Sequence, residues 1–479
     1  MLTYEHHYIN GAWVKPAQAA EQLDVIDSHT ATTCARVPAG GPEDIERAVE
    51  AARAAFDSWS QTPMQERKAK LAAALANWQK KKPKAIEWLQ KELGCTKKFA
   101  SQVQVNLVDA HFGVSLNVID GLPMEEKLND LFVVKEPIGV VGCITPWNYP
   151  LNQIAAKIGP AMLVGCTVVL KPSEVTPICA YLLAEAIHEA GFPKGVFNMV
   201  LGTGPGCGEH LAAHPQVDMI SFTGSTRAGR RISEVAAATL KVVRTELGGK
   251  SAAVMLDDAP LDKLVPEFMQ QLMNNSGQSC DALSRMLVPR SKYDEAVQRA
   301  KDFAEKLKVG GFGDEKASMG PLVSEVQWEK VQGLIQKGIE EGARVVCGGP
   351  GKPEGLGDGF YVRPTVFADV KNNMTIAQEE IFGPVLSIIP YDAESDAIAI
   401  ANDTIYGLNN AVGSADADRA LSVARRLRSG TVMINGTARN MEVPFGGLKQ
   451  SGNAREWGRL GIEEYLVTKT LAGRPKAKL

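Results

Sequence analysis

The sequence predicts an α/β protein built on parallel β-sheets that are covered by helices on both faces. From residue 138 onward, short β-rich runs ("IGVVGCITPW", "TVVLKPS", "VFNMVLG", "MISFTG", "KVVRTELGG") alternate with helical stretches ("QIAAKIGPAMLVG", "PICAYLLAEAIHEAG", "TRAGRRISEVAAATL"). This alternation is typical of βαβ units, whose strands pair in parallel. A second alternation begins at residues 251–256 ("SAAVML") and continues through "ARVVCGG" and "FYVRPTVFADV".

The length and the charge set the broad class of the protein. A chain of 479 residues is longer than one core normally supports, so two or more domains are expected. Hydrophobic residues make up 45% and charged residues 22%, which is typical of globular domains. The formal net charge of -3 provides no basic surface, so neither nucleic acid nor a membrane is an expected partner.

The cysteines and the termini indicate the compartment. The eight cysteines form no C-x-x-C pair, which argues against a metal site and against a disulfide framework. The N-terminus lacks a signal peptide and no segment is apolar enough to cross a bilayer, so we expect a cytoplasmic protein. The C-terminal "AKL" is close to a peroxisomal address, although its chance occurrence in a basic tail is the favoured alternative. These cysteines are Cys34, Cys95, Cys143, Cys166, Cys179, Cys207, Cys280 and Cys347.

Three segments outside the alternation have patterns of their own. In "PEDIERAVEAARAAFDSW", apolar residues recur at helical spacing from Ile45 to Trp59, which predicts an amphipathic helix. Residues 348–359, "GGPGKPEGLGDG", predict a surface loop inside the second segment. The final run "YLVTKTLAG" predicts a strand that needs a partner edge, from this chain or from another.

Chemistry is expected where strands end, because parallel α/β sheets bind ligands at the carboxyl ends of their strands. Four junctions stand out: residues 145–150 ("TPWNYP"), 170–174 ("LKPSE"), 221–229 ("SFTGSTRAG") and 245–250 ("TELGGK"). Two further segments complete the set, residues 275–280 ("NSGQSC") and 379–385 ("EEIFGPV").

Single residues in these segments allow both a structural and a chemical interpretation. A lone cysteine such as Cys280 is more often a packing residue, but its small polar neighbours would leave a reactive thiolate accessible. Asn148 fits a turn, and a rigid side-chain amide can also stabilise an oxyanion. Glu246 ends a strand, where an acid is usually solvated or caps a helix. Lys171 and Glu174, three residues apart, could form an exposed ion pair.

Together the six segments, in this order, resemble the NAD(P)-dependent aldehyde dehydrogenase superfamily, in its hydrolytic, non-acylating form. The resemblance extends from the first strands to "PFGGLKQSGNAREWG". It implies a Rossmann-like NAD-binding domain, an α/β catalytic domain and a small β extension for oligomerisation, hence a homodimer or homotetramer. The implied bounds are 1–117 with 139–248 for the NAD-binding domain, 249–448 for the catalytic domain, and 118–138 with 460–479 for the oligomerisation element.

The resemblance also implies an activity, the oxidation of a small-molecule aldehyde to a carboxylic acid. Cys280 would form a thiohemiacetal and then a thioester, and Asn148 would stabilise the oxyanion. Water activated by Glu246 would release the acid. Lys171 completes the implied catalytic set. Acyl transfer to coenzyme A is one rival, which Glu246 disfavours, and a nucleotide-binding protein without turnover is another.

The implied cofactor is NAD, with NADP as the open alternative. The helix that follows Gly224 offers free N–H groups to a pyrophosphate, although "GTGPGCG" does not fit the G-x-G-x-x-G pattern. Glu174 would repel a 2'-phosphate, which favours NAD. The implied cofactor-binding residues are Thr145, Pro146, Trp147, Lys171, Ser173, Glu174, Gly204, Phe222, Thr223, Gly224, Ser225, Leu247, Gly248, Glu380 and Phe382.

Three residues are expected to contact the aldehyde: Tyr149, Asp281 and Phe445. A carboxylate beside a thiol raises the pKa of that thiol, so Asp281 is expected to bring a benefit elsewhere. One interpretation is that Asp281 faces the substrate channel and favours a polar or cationic aldehyde. The alternative is that its side chain turns away and caps a neighbouring backbone group.

Overall fold

The computed structural model describes residues 1–18 and 21–473, so the C-terminal "AKL" lies outside the described residues. The strands are β1 (Leu2–Thr3), β2 (His7–Ile9), β3 (Ala12–Val14), β4 (Gln22–Asp27), β5 (Thr32–Pro38), β6 (Glu125–Leu128), β7 (Leu131–Pro137), β8 (Val140–Ile144), β9 (Thr167–Lys171), β10 (Phe197–Met199), β11 (Met219–Thr223), β12 (Val242–Glu246), β13 (Ala252–Met255), β14 (Arg285–Pro289), β15 (Arg344–Cys347), β16 (Thr365–Ala368), β17 (Val385–Tyr391), β18 (Asn409–Gly413), β19 (Thr431–Ile434) and β20 (Leu466–Ala472).

The helices follow the same chain order. They are α1 (Pro42–Ser60), α2 (Met64–Trp88), α3 (Lys97–Phe99), α4 (Asn106–Val118), α5 (Pro150–Val164), α6 (Pro177–Glu189), α7 (Glu209–Ala213), α8 (Thr226–Ala236), α9 (Leu261–Met273), α10 (Tyr293–Lys306), α11 (Glu325–Glu340), α12 (Thr375–Gln378), α13 (Glu394–Asn402), α14 (Ala417–Ala424) and α15 (Gly458–Glu463). Short π-helical turns occur at Leu89–Leu93, Ala100–Gln104 and Gly204–Gly208.

The first large sheet has the strand order β12-β11-β8-β9-β10-β2-β3. The five strands predicted between residues 138 and 248 are present and pair in parallel, as the alternation indicated. The hairpin of β2 and β3 extends the sheet with antiparallel pairing.

The two faces of this sheet pack into separate cores because successive strand residues point to opposite faces. In β8, Val141 and Cys143 join a core with α2, α4, α5 and α6, whereas Val140 and Ile144 join a core with α1, α7 and α8. Ile45, Val49 and Ala52 of the predicted helix α1 are buried in this second core, whereas Trp59 at its end is buried in the first core and Phe56 is half-buried.

The second large sheet has the order β15-β16-β17-β14-β13-β18-β19, and its strands are parallel except for β15 at the edge. Its first strand along the chain, β13, begins only a few residues after β12 ends in the other sheet. Residues 247–251 are therefore the connection between the two sheets. Residues 348–359 form a loop without regular structure, as predicted.

A small sheet of order β20-β7-β6 stands beside the two large ones. The predicted C-terminal strand β20 finds its partner in this chain, because it pairs antiparallel with β7 from Leu466↔Pro137 to Ala472↔Leu131. Another three-stranded sheet, β1-β5-β4, lies near the N-terminus.

The described part of the chain contains neither a membrane-spanning helix nor a metal-binding cluster. Over residues 1–18 and 21–473, no helix is long and apolar enough to cross a membrane. Over the same residues, no group of three or more histidine, cysteine, aspartate or glutamate side chains is arranged to hold a metal ion.

The carboxylate of Glu92 is fully buried between α2 and α6. Its two oxygens accept hydrogen bonds from the backbone N–H groups of Ile178 (2.8 Å) and Cys179 (3.0 Å) at the first turn of α6. Burial raises the pKa of Glu92 from 4.5 to about 7. The folded protein therefore binds this proton more tightly than the unfolded chain does. The free energy of unfolding that this proton contributes is lost as the pH rises from about 4.5 through about 7.

Replacing Glu92 by Gln should remove this pH dependence. Between pH 4 and pH 8, the free energy of unfolding of the wild type should fall by about 3 kcal/mol relative to that of Glu92→Gln. This size follows because a shift of one pKa unit corresponds to ~1.4 kcal/mol. Urea unfolding at several pH values measures this difference. The control is Glu87→Gln, an exposed residue of α2 shortly before the π-helical turn that contains Glu92. A difference between wild type and Glu92→Gln that is independent of pH would contradict the prediction.

Candidate active site

Glu246 lies at the carboxyl end of β12, where its neighbour in the sheet is Thr223 of β11. Its backbone carbonyl accepts a hydrogen bond from the Gly224 N–H (3.1 Å), which ties it to the start of the predicted cofactor turn. The side chain is buried. Among the described residues, neither of its carboxylate oxygens has a hydrogen-bond partner. A buried carboxylate without a partner is costly, so its retention indicates a chemical use.

Burial, with the nearby carboxylate of Glu456, raises the pKa of Glu246 above its usual value. Glu456 itself forms a buried ion pair with Lys157 of α5. A carboxylate whose pKa is raised binds a proton more readily, which suits a general base.

The loop that carries the nucleophile candidate has unusual backbone geometry. Asn275 and Ser276 both adopt the left-handed conformation, with φ of 52° and 57°, and Gly277 follows with φ of 74°. A Cβ at Gly277 would lie 2.1 Å from the carbonyl oxygen of Gly383, so only glycine fits there. The small polar residues before Cys280 therefore shape a tight loop in addition to leaving the thiol accessible.

Cys280 is half-buried, unlike five of the eight cysteines, which are fully buried. Its backbone carbonyl packs closely against Gly249, in the connection between the sheets. A Cβ at Gly249 would lie 2.4 Å from this carbonyl oxygen. Burial, followed by the charges of Asp281 and Glu246, raises the pKa of the Cys280 thiol. The thiol and the Glu246 carboxylate thus lie within electrostatic reach of each other.

Asn148 brings an amide to the same place from the end of β8. Its Nδ2 donates to the carbonyl of Gln278 (3.1 Å), two residues before Cys280. Its own carbonyl accepts from Gln104 Nε2 (3.1 Å) and from Asn275 Nδ2 (2.9 Å). These contacts hold the turn and the side-chain amide of Asn148 in place, and the oxyanion role predicted for this residue stays a prediction.

Asp281 is not free to attract a cationic aldehyde, which counts against the first interpretation of this residue. Its carboxylate accepts hydrogen bonds from Arg439 and from the Ser279 hydroxyl. Both donors are side chains, so these two contacts are not the backbone cap of the second interpretation. Although burial disfavours its charge, the Arg439 guanidinium lowers the pKa of the Asp281 carboxyl. The charge that the sequence placed beside Cys280 is thus largely neutralised by a residue from a distant loop.

The predicted cofactor residues gather at the carboxyl edge of the first sheet. Thr145 follows β8, and its N–H donates to the carbonyl of Lys171 at the end of β9 (3.2 Å). Lys171 is buried and donates to Glu174 (3.0 Å), whose side chain is 35% exposed. The hydroxyls of Thr145 and Thr223 are buried without partners among the described residues, which leaves two polar atoms for a ligand.

Helix α8 starts beside this edge. Ser225 caps it by accepting from the Ala228 N–H (3.2 Å), which leaves the preceding N–H groups of the first turn available. Gly224 and Phe222 contact each other closely, because a Cβ at Gly224 would lie 2.5 Å from the Phe222 ring. Leu247 packs against α8 at Gly229. These features fit the anion-binding end of a helix.

The remaining predicted cofactor residues lie in the turns around this edge. Ser173 accepts a hydrogen bond from the Val175 N–H (3.2 Å) in the turn after β9. Gly204 begins the π-helical turn that Thr203 caps. Pro146 is half-buried between Thr145 and Trp147.

Glu380 and Phe382 reach the site from the second sheet. Glu380 accepts from the Gly249 N–H (2.9 Å), and a Cβ at Gly248 would lie 2.6 Å from its carboxylate. Phe382 meets Trp147 edge-on, with ring centroids 5.3 Å apart, and has a positive φ of 59°. Burial raises the pKa of Glu380. Both segments therefore converge on the connection between the sheets.

Tyr149 and Phe445 are the two aromatic residues that the sequence predicts to contact the aldehyde. Tyr149 is half-buried, and its ring lies 6.0 Å from that of Phe99. Burial, followed by the charge of Asp281, raises the pKa of Tyr149. Phe445 is buried and stacks on Trp457 with ring centroids 4.6 Å apart. The roles predicted for these residues stay predictions.

Sequence reasoning missed four residues of this site: Arg439, Gln278, and the buried pair of Lys157 and Glu456. Each acts through a contact with a residue far away in the chain, such as Lys157 with Glu456, 299 residues apart. A charged residue in an apolar helix, such as Lys157 in "QIAAKIGPAM", is the one local signal that the sequence contains.

The fold brings a half-buried thiol and a buried carboxylate to the carboxyl edge of a parallel α/β sheet, the edge at which such sheets bind ligands. Residues 13–471 match the model of the Aldehyde dehydrogenase family. The chain therefore belongs to this family, and it is an oxidoreductase that oxidises aldehydes. The resemblance and the fold class predicted from the sequence are confirmed.

Relatives and solved structures agree over nearly the full length. The chain is 48% identical over 474 residues to a 3-succinoylsemialdehyde-pyridine dehydrogenase of a Pseudomonas species, with 99% of each chain covered. It is similar to the structure of a mutant of aldehyde dehydrogenase C from Pseudomonas syringae with NAD+ and octanal, with TM-score 0.97, 44% identity, and 99% and 98% coverage. It is also similar to a Mycobacterium tuberculosis aldehyde dehydrogenase with NAD+, with TM-score 0.96, 42% identity and full coverage of both chains.

Replacing Asp281 by Asn should make the Cys280 thiol more acidic. The substitution removes a negative charge that raises the thiol pKa and leaves the cationic Arg439 nearby. The pH midpoint of alkylation by iodoacetamide should therefore move to lower pH. Cys280→Ser gives the background from the other cysteines, and Asp392→Asn, at an exposed ion pair, is the matched control. An unchanged or higher midpoint in Asp281→Asn would refute this electrostatic account.

Proposed function

We propose that the protein oxidises a small-molecule aldehyde to a carboxylic acid with NAD, with Cys280 as nucleophile and Glu246 as general base. The observation that carries the proposal is the buried carboxylate of Glu246, which has no satisfying partner among the described residues and acts electrostatically on the Cys280 thiol. A partner-free base beside a half-buried thiol is the arrangement that attack and later hydrolysis require.

Covalent addition is the first step. The Cys280 thiolate attacks the aldehyde carbon, and the carbonyl oxygen becomes an alkoxide in a thiohemiacetal. The Asn148 side-chain amide, which donates to the Gln278 carbonyl (3.1 Å), provides a preorganised donor for this oxygen. The nicotinamide ring, when bound, accepts the hydride that leaves the carbon attached to sulfur. A thioester on Cys280 results.

Hydrolysis is the second step. Glu246 takes a proton from a water molecule, the resulting hydroxide attacks the thioester carbon, and the acid leaves as the thiolate re-forms. The raised pKa of Glu246 lets it hold this proton and pass it on. Transfer of the acyl group to coenzyme A is the rival outcome, and formation of an acyl-coenzyme A product would reveal it.

NAD is the cofactor that we assign to the edge of the first sheet. The NAD+ complexes of the Pseudomonas syringae and Mycobacterium tuberculosis structures support this assignment. The free first turn of α8, the buried hydroxyls of Thr145 and Thr223, and Glu380 are the groups that would hold it. The half-exposed Glu174 supports NAD over NADP, and the ratio of kcat/KM for the two cofactors measures this preference.

The division into domains is part of the proposal. The sheet of β8 to β12 supports a nucleotide-binding domain formed by residues 1–117 and 139–248, and the sheet of β13 to β19 supports a catalytic domain over 249–448. A cytoplasmic location is supported by the eight cysteines, all of which are free thiols.

Assembly as a homodimer or homotetramer through the small sheet is also proposed. Several large apolar side chains of β6, β7 and β20 are exposed, among them Leu131 (43%), Val467 (40%) and Leu471 (43%). Strand β20 is an edge of its sheet, and an exposed apolar edge is a natural surface for pairing with a second copy.

Glu246→Gln should separate hydride transfer from hydrolysis. Because the amide cannot activate water, the variant should produce a burst of about one NADH for each Cys280 and then stall, with kcat lowered about 10²- to 10⁴-fold. Stopped-flow absorbance of NADH with a simple aldehyde measures both phases. Glu340→Gln, on the exposed face of α11, is the control. A steady rate equal to that of the wild type would refute the assignment of the base, and Cys280→Ala should remove burst and turnover alike.

Charging the small sheet should dissociate the assembly. Val467→Lys combined with Leu471→Lys places two cations on one face of β20, and light scattering should give the mass of one 51.5 kDa chain in place of a multiple of it. The matched control is Thr468→Lys with Thr470→Lys, on the opposite face of the strand. A mass that is the same for the Val467/Leu471 variant and for the wild type would contradict the proposed interface.

A further inference from the structure

Arg439 is held beside the nucleophile by two aromatic rings. Its guanidinium carbon lies 5.2 Å from the centroid of Phe445 and 5.9 Å from that of Trp457. The two rings are stacked on each other at 20°, and both lie within cation–π distance of the guanidinium. A guanidinium that contacts both rings and a carboxylate is held in one position, which the single ammonium of a lysine could not reproduce.

Asp281 holds the other side of the same guanidinium. Arg439 Nη2 donates to Asp281 Oδ2, and the Ser279 hydroxyl donates to Oδ1. Because Asp281 directly follows Cys280, this ion pair ties the arginine to the nucleophile loop. Cys280, Asp281 and Tyr149 all act electrostatically on Arg439, which places its charge among the residues around the reacting carbon.

Two donors of this cluster have no acceptor. Arg439 Nη1 and Trp457 Nε1 are buried and have no hydrogen-bond partner among the described residues. A buried N–H group without an acceptor costs free energy. Arginine cannot avoid this cost by losing the proton, because its guanidinium stays charged in proteins. Trp457 also adopts a positive φ of 70°, so the backbone is strained where it positions this ring. Strain and unpaired donors at one place indicate that a ligand atom completes the cluster.

We propose that Arg439 is a substrate-binding residue that selects aldehydes with a second carbonyl group. Its Nη1 donates a hydrogen bond to a neutral ketone oxygen of the substrate, several bonds away from the aldehyde carbon. Asp281 already balances the charge of Arg439, so a neutral acceptor suits the pair. A carboxylate would add a negative charge beside Asp281 and Glu246, and a cationic aldehyde would meet the guanidinium itself. The inference rests on the proposed function, because it requires the aldehyde to be bound at Cys280.

Three probes of similar length test this selectivity: pentanal, γ-oxopentanal (pentanal with a ketone oxygen on its fourth carbon) and succinic semialdehyde. The measurement is kcat/KM from initial rates of NADH formation at saturating NAD. In the wild type, kcat/KM should be highest for γ-oxopentanal. In Arg439→Met, which keeps an unbranched stem and removes the guanidinium, the ratio of kcat/KM for γ-oxopentanal to that for pentanal should fall about 10- to 100-fold.

Two further variants make the result interpretable. The double variant Arg439→Met with Asp281→Asn leaves no unpaired buried carboxylate, and the same fall in the ratio is expected. The matched control is Arg290→Met with Asp392→Asn, an exposed ion pair on the second sheet, which should leave the ratio as in the wild type.

The outcomes that overturn the inference are distinct. An unchanged ratio, or an equal loss for all three aldehydes, would make Arg439 a residue that only shapes the loop. A preference for succinic semialdehyde that is lost in Arg439→Met would show that the acceptor is a carboxylate and overturn the neutral-ketone assignment. If the wild type forms no NADH from any of the three aldehydes, the proposed function fails and this inference fails with it.

Discussion

The short connection between the two sheets is the constraint on which the rest of the site depends. Glu246 ends β12, and β13 begins at Ala252 in the other sheet. At Gly249 the carbonyl of Cys280 leaves no room for a Cβ, and at Gly248 the carboxylate of Glu380 leaves none. Because these two glycines let the neighbouring segments approach so closely, the base, the thiol and an acid of the second sheet meet at one point.

The charges around this point divide into two kinds. Asp281 pairs with Arg439, and Glu456 pairs with Lys157, so these acids keep fixed partners. Glu246 has no such partner, and burial raises its pKa. The paired groups therefore provide a constant field, while the unpaired carboxylate is able to take and release a proton. Different surroundings give similar acids different roles, as general acid–base chemistry requires.

Much of the fold and part of the site followed from local patterns. The strands that end at Ile144, Lys171, Thr223 and Glu246 were predicted because alternating β-rich and helical runs repeat along the chain. The position of Arg439 could not be predicted, since it depends on the packing of Phe445, Trp457 and Asp281, which are far apart or in an irregular loop. For the same reason the charge of Asp281 looked available in the sequence, whereas the structure pairs it. The left-handed residues 275 and 276 likewise result from contacts that no local pattern contains.

The surroundings of Cys280 raise the pKa of its thiol, so they do not activate it electrostatically. What the surroundings provide is a fixed position for the sulfur. Asn275 and Ser276 hold strained backbone angles that cost about 1–3 kcal/mol each. Buried hydrogen bonds offset this strain: the Ser276 hydroxyl donates to the Gly320 carbonyl (2.8 Å), and Gln278 Oε1 accepts from the Val323 N–H (2.9 Å). A loop fixed in this way loses little conformational freedom when an aldehyde binds. The entropic cost of aligning the sulfur with the carbonyl carbon is therefore already paid when the protein folds. The fixed position of the sulfur is therefore what this loop contributes to the attack.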